Sequence, residues 1–301
     1  MSLTTNFKNR SYPSPRAALE LIKPITWFPP MWAFMCGAVS SGSIELERLW
    51  LIVLGVLLAG PIVCGMSQAA NDWCDRHVDA INEPNRPIPS GRMPEKWGLF
   101  IAIFMSVLSL SVGYFLGTWG FYATLVGVIC AWLYSVEPFR LKRSGIFGPL
   151  MVGLCYEGLP WFTGAAVLST KIPKFEIILV ASLYALGAYG IMVLNDFKAV
   201  LGDKQTGIKS LPVLIGTKNA ARVACTVMIV PQLVIILLLI AWNLNSYASV
   251  LSINLLIQIF TMSRLLTDPE KLAPWYNKTG VTLFVLGMML SALGISSIVS
   301  L

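Results

Sequence analysis

Residues 49–92 read LWLIVLGVLLAGPIVCGMSQAANDWCDRHVDAINEPNRPIPSGR. The first 22 residues, 49–70, carry no charge, which is enough helix to cross a hydrocarbon core of ~30 Å. The run then passes straight into Asn71-Asp72 and a charged segment. Asn71, Asp75 and Asp79 recur at i, i+4 and i+8, so a continuing helix carries them on one stripe with ~6 Å between turns. A membrane-length helix that ends in a stripe of acids predicts an all-α integral membrane protein with its polar chemistry at helix ends.

The rest of the chain agrees. Only 12% of residues are charged and 56% are hydrophobic, with a mean hydropathy of +0.71, whereas a soluble domain carries about 25% charged residues. Besides residues 49–70, apolar runs at 27–41, 97–117, 121–134, 147–168, 177–194, 221–242, 247–261 and 279–300 bring the expected total to about nine transmembrane helices in one domain over residues 1–301. The N-terminus is polar through Arg16 and the first apolar stretch is broken by Pro24, Pro29 and Pro30, so no cleavable signal peptide is expected. The six cysteines lack a CxxC pair and read as small buried hydrophobes rather than a disulfide framework.

Charge placement supplies orientation. With the N-terminus in the cytoplasm and spans alternating, nineteen of the 22 basic residues, from Lys8, Arg10, Arg16 and Lys23 to Arg264, Lys271 and Lys278, fall on the cytoplasmic side. Only Arg48, Lys171 and Lys174 fall outside. That bias is the positive-inside pattern, and it places the C-terminus outside. The net charge of +7 is thereby a property of membrane topology, and no nucleic-acid partner is expected.

A second segment, residues 195–216, repeats the theme as NDFKAVLGDKQTGIKSLPVLIG. It too opens with Asn-Asp at the end of an apolar run, and Asp203 follows Asp196 by seven residues, on one face if the helix continues. One acidic stripe at a membrane helix end can be a solvated cap. Two such stripes, each followed by basic residues, point to a shared cavity holding a hard divalent cation, Mg²⁺, with a diphosphate. Mg²⁺ takes oxygen ligands and fills its shell with water and substrate phosphate. The expected metal-holding set is Asn71, Asp72, Asp75 and Asp79 with Asn195, Asp196 and Asp203. Asp75, Asp79 and Asp203 carry the catalytic role. Arg86, Lys142, Lys204 and Lys209 are the candidate phosphate contacts; for basic residues near the motifs, topology is the competing explanation. His77, the only histidine, is assigned to a spare helix face. Glu157 is the one carboxylate inside a predicted span, and such residues usually face a cavity.

Together, NxxxDxxxD at 71–79 and NDxxxxxxD at 195–203 on this hydropathy background resemble the UbiA superfamily of intramembrane prenyltransferases. Within it, residues 23–42 (KPITWFPPMWAFMCGAVSSG), 82–92 and 140–166 are similar to the chlorophyll and bacteriochlorophyll synthase branch, and YEGLPWFTGAA to its bacterial members. The resemblance implies a helical bundle around a central cavity open to lipid. It also implies Mg²⁺-dependent esterification of the C17 propionate of (bacterio)chlorophyllide a by geranylgeranyl or phytyl diphosphate, with release of pyrophosphate. It further implies a bacterial cytoplasmic or intracytoplasmic photosynthetic membrane, with other pigment-biosynthesis or photosystem-assembly proteins as partners. The second motif departs from the family pattern, with Ala199 where many members carry an acid. Tyr134, Glu157 and Trp161 are candidates for the substrate-binding wall, packing being the ordinary role of such aromatics. Two rivals stay open: a UbiA-type enzyme acting on another chlorophyllide or a quinone-precursor ring, and a transporter or pigment-binding scaffold without turnover.

Overall fold

The computed structural model describes residues 12–299. Lys8, Arg10 and the last expected span residue, Ser300, lie outside the described residues. After a short surface helix, α1 (Pro15–Leu21), the chain forms α2 (Phe28–Ser40), then α3 (Leu49–Leu57) and α4 (Gly65–Asn82). A π-helical turn, Leu58–Cys64, makes α3 and α4 one continuous rod. Helices α5 (Glu95–Phe115) and α6 (Thr118–Ser135) form a hairpin. Helices α7 (Phe147–Gly153) and α8 (Leu159–Ser169) are joined by a second π turn, Leu154–Gly158. Then come α9 (Phe175–Asn195), two short helices α10 (Val200–Thr206) and α11 (Leu211–Ile215), and three long ones, α12 (Thr217–Ala241), α13 (Asn245–Leu265) and α14 (Pro269–Val299).

All nine expected spans are helical among the described residues. Seven helices are long and apolar enough to cross a membrane by themselves. The other two are α2, with only 13 residues, and the α7–α8 rod. These two pack on each other at backbone contact. A Cβ at Gly37 would fall 2.0 Å from the Trp161 carbonyl oxygen, and one at Gly164 would fall 2.1 Å from that of Phe34. Small residues that let membrane helices touch in this way substitute for a hydrophobic driving force, which lipid does not provide. The outer faces of α5, α12 and α13 expose Phe104, Leu237, Leu256 and Phe260, as lipid-facing residues must.

Two contact sets fix the ends of the bundle. Lys23, the 72–92 segment, the 137–145 loop, the 195–217 segment and the α13–α14 connection meet at one end through pairs such as Lys23–Asp72, Arg140–Asp75, Asn277–Asn195 and Thr217–Glu270. At the other end Arg48 donates to the Leu168 carbonyl and Lys174 to that of Val299. The sequence split of basic loops thus corresponds to two physical ends of the bundle.

Candidate active site

The first motif is helical as expected. Helix α4 runs unbroken to Asn82 and delivers Asn71, Asp72, Asp75 and Asp79 to the polar end. Each carboxylate meets a cation. The Asp72 Oδ1 accepts from Lys23 Nζ at 2.6 Å and from Arg86 Nη1 at 3.4 Å. Arg86 Nη1 also donates to Asp79 Oδ2 at 2.7 Å. Asp75 receives Arg140 Nη2 on Oδ1 at 2.6 Å, and Lys142 Nζ on Oδ2. Four cations therefore engage the three carboxylates of the first motif, and Arg140 Nη1 also donates to Glu137 Oε1 at 3.0 Å. Burial pushes the Lys142 ammonium below its ordinary value, and the neighbouring Asp75 charge pulls the other way. His77 is exposed, which leaves it on the spare face.

The second motif departs from expectation. Its acids do not share one regular helix: α9 ends at Asn195, a 3₁₀ turn spans Asp196–Ala199, and Asp203 lies on the separate α10. The tighter winding breaks the seven-residue repeat, yet Asp196 remains within electrostatic reach of Asp203 and of Lys198. Asn195 accepts from Asn277 Nδ2 at 2.8 Å, which fixes it against α14. The Tyr134 side chain, on α6, lies within electrostatic reach of both Asp75 and Asp196, so the two motifs converge across it.

Behind this mouth lies a cavity of about 430 Å³ whose wall includes Asn71, Asn195, Tyr134, Tyr156 and Glu157. Both π turns contribute to it: Ala59, Val63 and Cys64 from the first, Cys155, Tyr156 and Glu157 from the second. Such turns re-aim side chains by one extra residue and recur at functional sites. The first contains Pro61, whose missing N–H disrupts the regular ladder. Part of the wall is polar, since the Tyr156 hydroxyl accepts from Gln68 Nε2 at 3.0 Å and pairs with Cys64 Sγ at 3.3 Å. Glu157 is 4% exposed, and its Oε2 has no hydrogen-bond partner among the described residues.

Of the residues expected to bind substrate, Arg86 and Lys142 sit on the acids, and Tyr134 and Glu157 are on the cavity wall. Lys204 and Lys209 are exposed, and among the described residues no ion pair joins them to the acidic motifs. Trp161 is not on the wall. It is fully buried, stacks on Tyr184 at 5.6 Å and donates its indole N–H to Ser40 Oγ at 3.1 Å, so it packs α8 against α2 and α9. Lys23 and Arg140 also bind the acids, although neither is among the phosphate contacts expected from the sequence. The signal for Lys23 is its place immediately before Pro24, just ahead of the first apolar run.

Among the described residues no three Asp, Glu, His or Cys groups form a closed metal cage. The donor set nevertheless fits Mg²⁺ carried in with a diphosphate, because that ion needs only one or two protein carboxylates. Asp72 Oδ2 is buried without a partner, and the amide oxygens of Asn71 and Asn195 belong to residues on the cavity wall.

An apolar cavity with paired Asn/Asp helix ends at its mouth defines a prenyltransferase of the intramembrane kind. The chain belongs to the UbiA prenyltransferase family, which it matches over residues 26–295. It is 61% identical to the bacteriochlorophyll synthase 33 kDa chain of Cereibacter sphaeroides over 98% of each chain. It is 35% identical to the chloroplastic chlorophyll synthase of rice (Oryza sativa subsp. japonica), covering 92% of this chain and 76% of the rice one. Among solved structures, a UbiA homolog from Archaeoglobus fulgidus bound to DMAPP and Mg²⁺ superposes with a TM-score of 0.72 at 19% identity, covering 93% and 99% of the two chains. That likeness establishes the fold.

Proposed function

We propose that this enzyme is a bacteriochlorophyll synthase, which esterifies the C17 propionate of (bacterio)chlorophyllide a with geranylgeranyl or phytyl diphosphate and releases pyrophosphate. The observation that carries the reaction type is a largely apolar cavity whose wall holds Asn71 and Asn195, the residues that open the two acidic motifs. The identity to bacteriochlorophyll synthase chains along the full length supports the pigment acceptor.

Asn71, Asp72, Asp75 and Asp79 with Asn195, Asp196 and Asp203 would hold Mg²⁺, which supplies Lewis-acid stabilisation of the departing diphosphate. Lys23, Arg86, Arg140 and Lys142 neutralise the remaining negative charge through charge-assisted hydrogen bonds. The apolar cavity houses the prenyl chain and keeps water from the allylic carbon while its C1–O bond breaks with cationic character. The Tyr134 and Tyr156 rings line this cavity, and their faces would stabilise such charge. The propionate oxygen forms the new C–O bond as pyrophosphate takes the electron pair of the old one. No proton moves, so the reaction asks for no general base, in keeping with a single exposed histidine. Glu157, the buried carboxylate on the cavity wall, contacts the acceptor. The motif-bearing end faces the cytoplasm and the C-terminus the opposite side.

The test is purified enzyme with chlorophyllide or bacteriochlorophyllide, each against geranylgeranyl and phytyl diphosphate. Pigment ester and pyrophosphate should appear in equal amounts and require Mg²⁺. Absence of both products with every pair of substrates overturns the reading.

A further inference from the structure

The two acidic motifs sit on different halves of the chain, and the structure joins them through one short loop. Residues 140–145 begin with Arg140 and Lys142, both bound to Asp75 of the first motif. Three residues on, the same loop pairs with the strand-like segment that follows the second motif. Gly145 N donates to the Lys209 carbonyl at 2.8 Å, Lys209 N donates to the Arg143 carbonyl at 3.3 Å, and Ser144 and Lys209 form an isolated parallel β-bridge. That segment is tied back to the motif, since Ile208 N donates to the Asp203 carbonyl at 2.9 Å. From beneath, the Tyr189 hydroxyl of α9 donates to the Gly145 carbonyl at 3.1 Å.

Close approach at the junction depends on one residue. A Cβ at position 145 would lie 2.6 Å from both the Lys209 carbonyl oxygen and the Leu211 amide nitrogen, and 2.9 Å from the Ser210 carbonyl carbon. All three obstructing atoms are backbone, so no side-chain rotation relieves the clash. Any larger residue must push the 208–211 segment and the 140–145 loop apart.

We propose that the 140–145 loop, closed on the 208–211 segment through Gly145, is a strut that sets the separation of the two acidic motifs for binding one metal–diphosphate, with Gly145 and Tyr189 as positioning residues. The inference rests on the proposed two-motif diphosphate site. Neither residue lines the cavity. A diphosphate held from both sides tolerates little change in the gap, and misplacement of ~1 Å in a positioned reactant can cost about 100-fold.

Two variants test it. Gly145→Ala opens the junction, and Tyr189→Phe removes one hydrogen bond without adding volume. Binding of Mn²⁺–pyrophosphate to the purified protein, followed by the electron paramagnetic resonance of the ion, reads the gap without any pigment. Gly145→Ala should weaken that binding about tenfold or more, and Tyr189→Phe should weaken it less. In turnover, KM for the prenyl diphosphate should rise in the same order, while KM for the pigment acceptor stays at the parent value. Should Gly145→Ala fail to fold, Tyr189→Phe alone decides. Parent-like pyrophosphate affinity in the folded variants overturns the strut. So does an equal rise in KM for both substrates, which marks general loosening of the bundle. If the parent protein itself binds no Mn²⁺–pyrophosphate, the two-motif site fails, and the strut with it.

Discussion

Replacing Asp75 by Asn separates two contributions of one carboxylate. Asp75 holds both Arg140 and Lys142, and the three side chains are 14%, 13% and 12% exposed. At ~4 Å between charge centres and an effective dielectric constant of ~20, each attraction is about 4 kcal/mol before desolvation. Removing Asp75 strands the partly buried Lys142, while Arg140 keeps Glu137 Oε1 at 3.0 Å, and such a loss costs roughly 3 kcal/mol. A bound diphosphate supplies its own negative charge to Arg140 and Lys142, so the liganded protein loses much less. Asp75→Asn should therefore be destabilised when empty and be rescued by Mg²⁺–pyrophosphate more than the parent is. It should turn over at least ~10³-fold more slowly, having lost a ligand that stabilises the leaving group. Thermal unfolding in detergent, with and without Mg²⁺–pyrophosphate, reads the first effect, and initial rates of ester formation read the second. A rate within tenfold of the parent at ordinary Mg²⁺ removes Asp75 from the site. Unchanged stability of the empty variant refutes the argument from the stranded cation.

Other perturbations give separable outcomes. Glu157→Gln should change the choice between chlorin and bacteriochlorin acceptors while KM for the prenyl diphosphate holds; competition between the two pigments measures this, and an unchanged ratio takes Glu157 out of the acceptor pocket. His77→Ala should leave the absorption spectrum of bound pigment unaltered, because this side chain is exposed and lies off the cavity wall. Trp161→Ala should cost about 3–5 kcal/mol of stability, as loss of a fully buried indole does, with pigment preference intact in whatever protein folds. A reporter fused after Asp203 should behave as cytoplasmic and one fused after Leu301 as extracytoplasmic; a common side for both contradicts an odd number of crossings.

The sequence by itself determined the class of fold, because hydrocarbon admits few solutions. An uncharged run of membrane length must be a helix, since no water satisfies its backbone groups. The bias of Lys and Arg between loops then separates the two ends. It also determined the first motif, where the i, i+4, i+8 spacing of Asn71, Asp75 and Asp79 needs only that α4 continue past the membrane. It did not determine which apolar or aromatic residues face the cavity. In a membrane bundle the lipid-facing and core-facing sides are both apolar, so periodicity that marks a buried face in a soluble helix is muted here. Tyr156 and Trp161 stand five residues apart in one rod, yet only the first lines the cavity. The π turn at Leu154–Gly158 and the close crossing of α2 with α8 decide that, and both depend on neighbouring helices. The cations were also a tertiary matter. Lys23 and Arg140 reach Asp72 and Asp75 across 49 and 65 residues of chain, and charge pairing at that separation is set by how the helices pack.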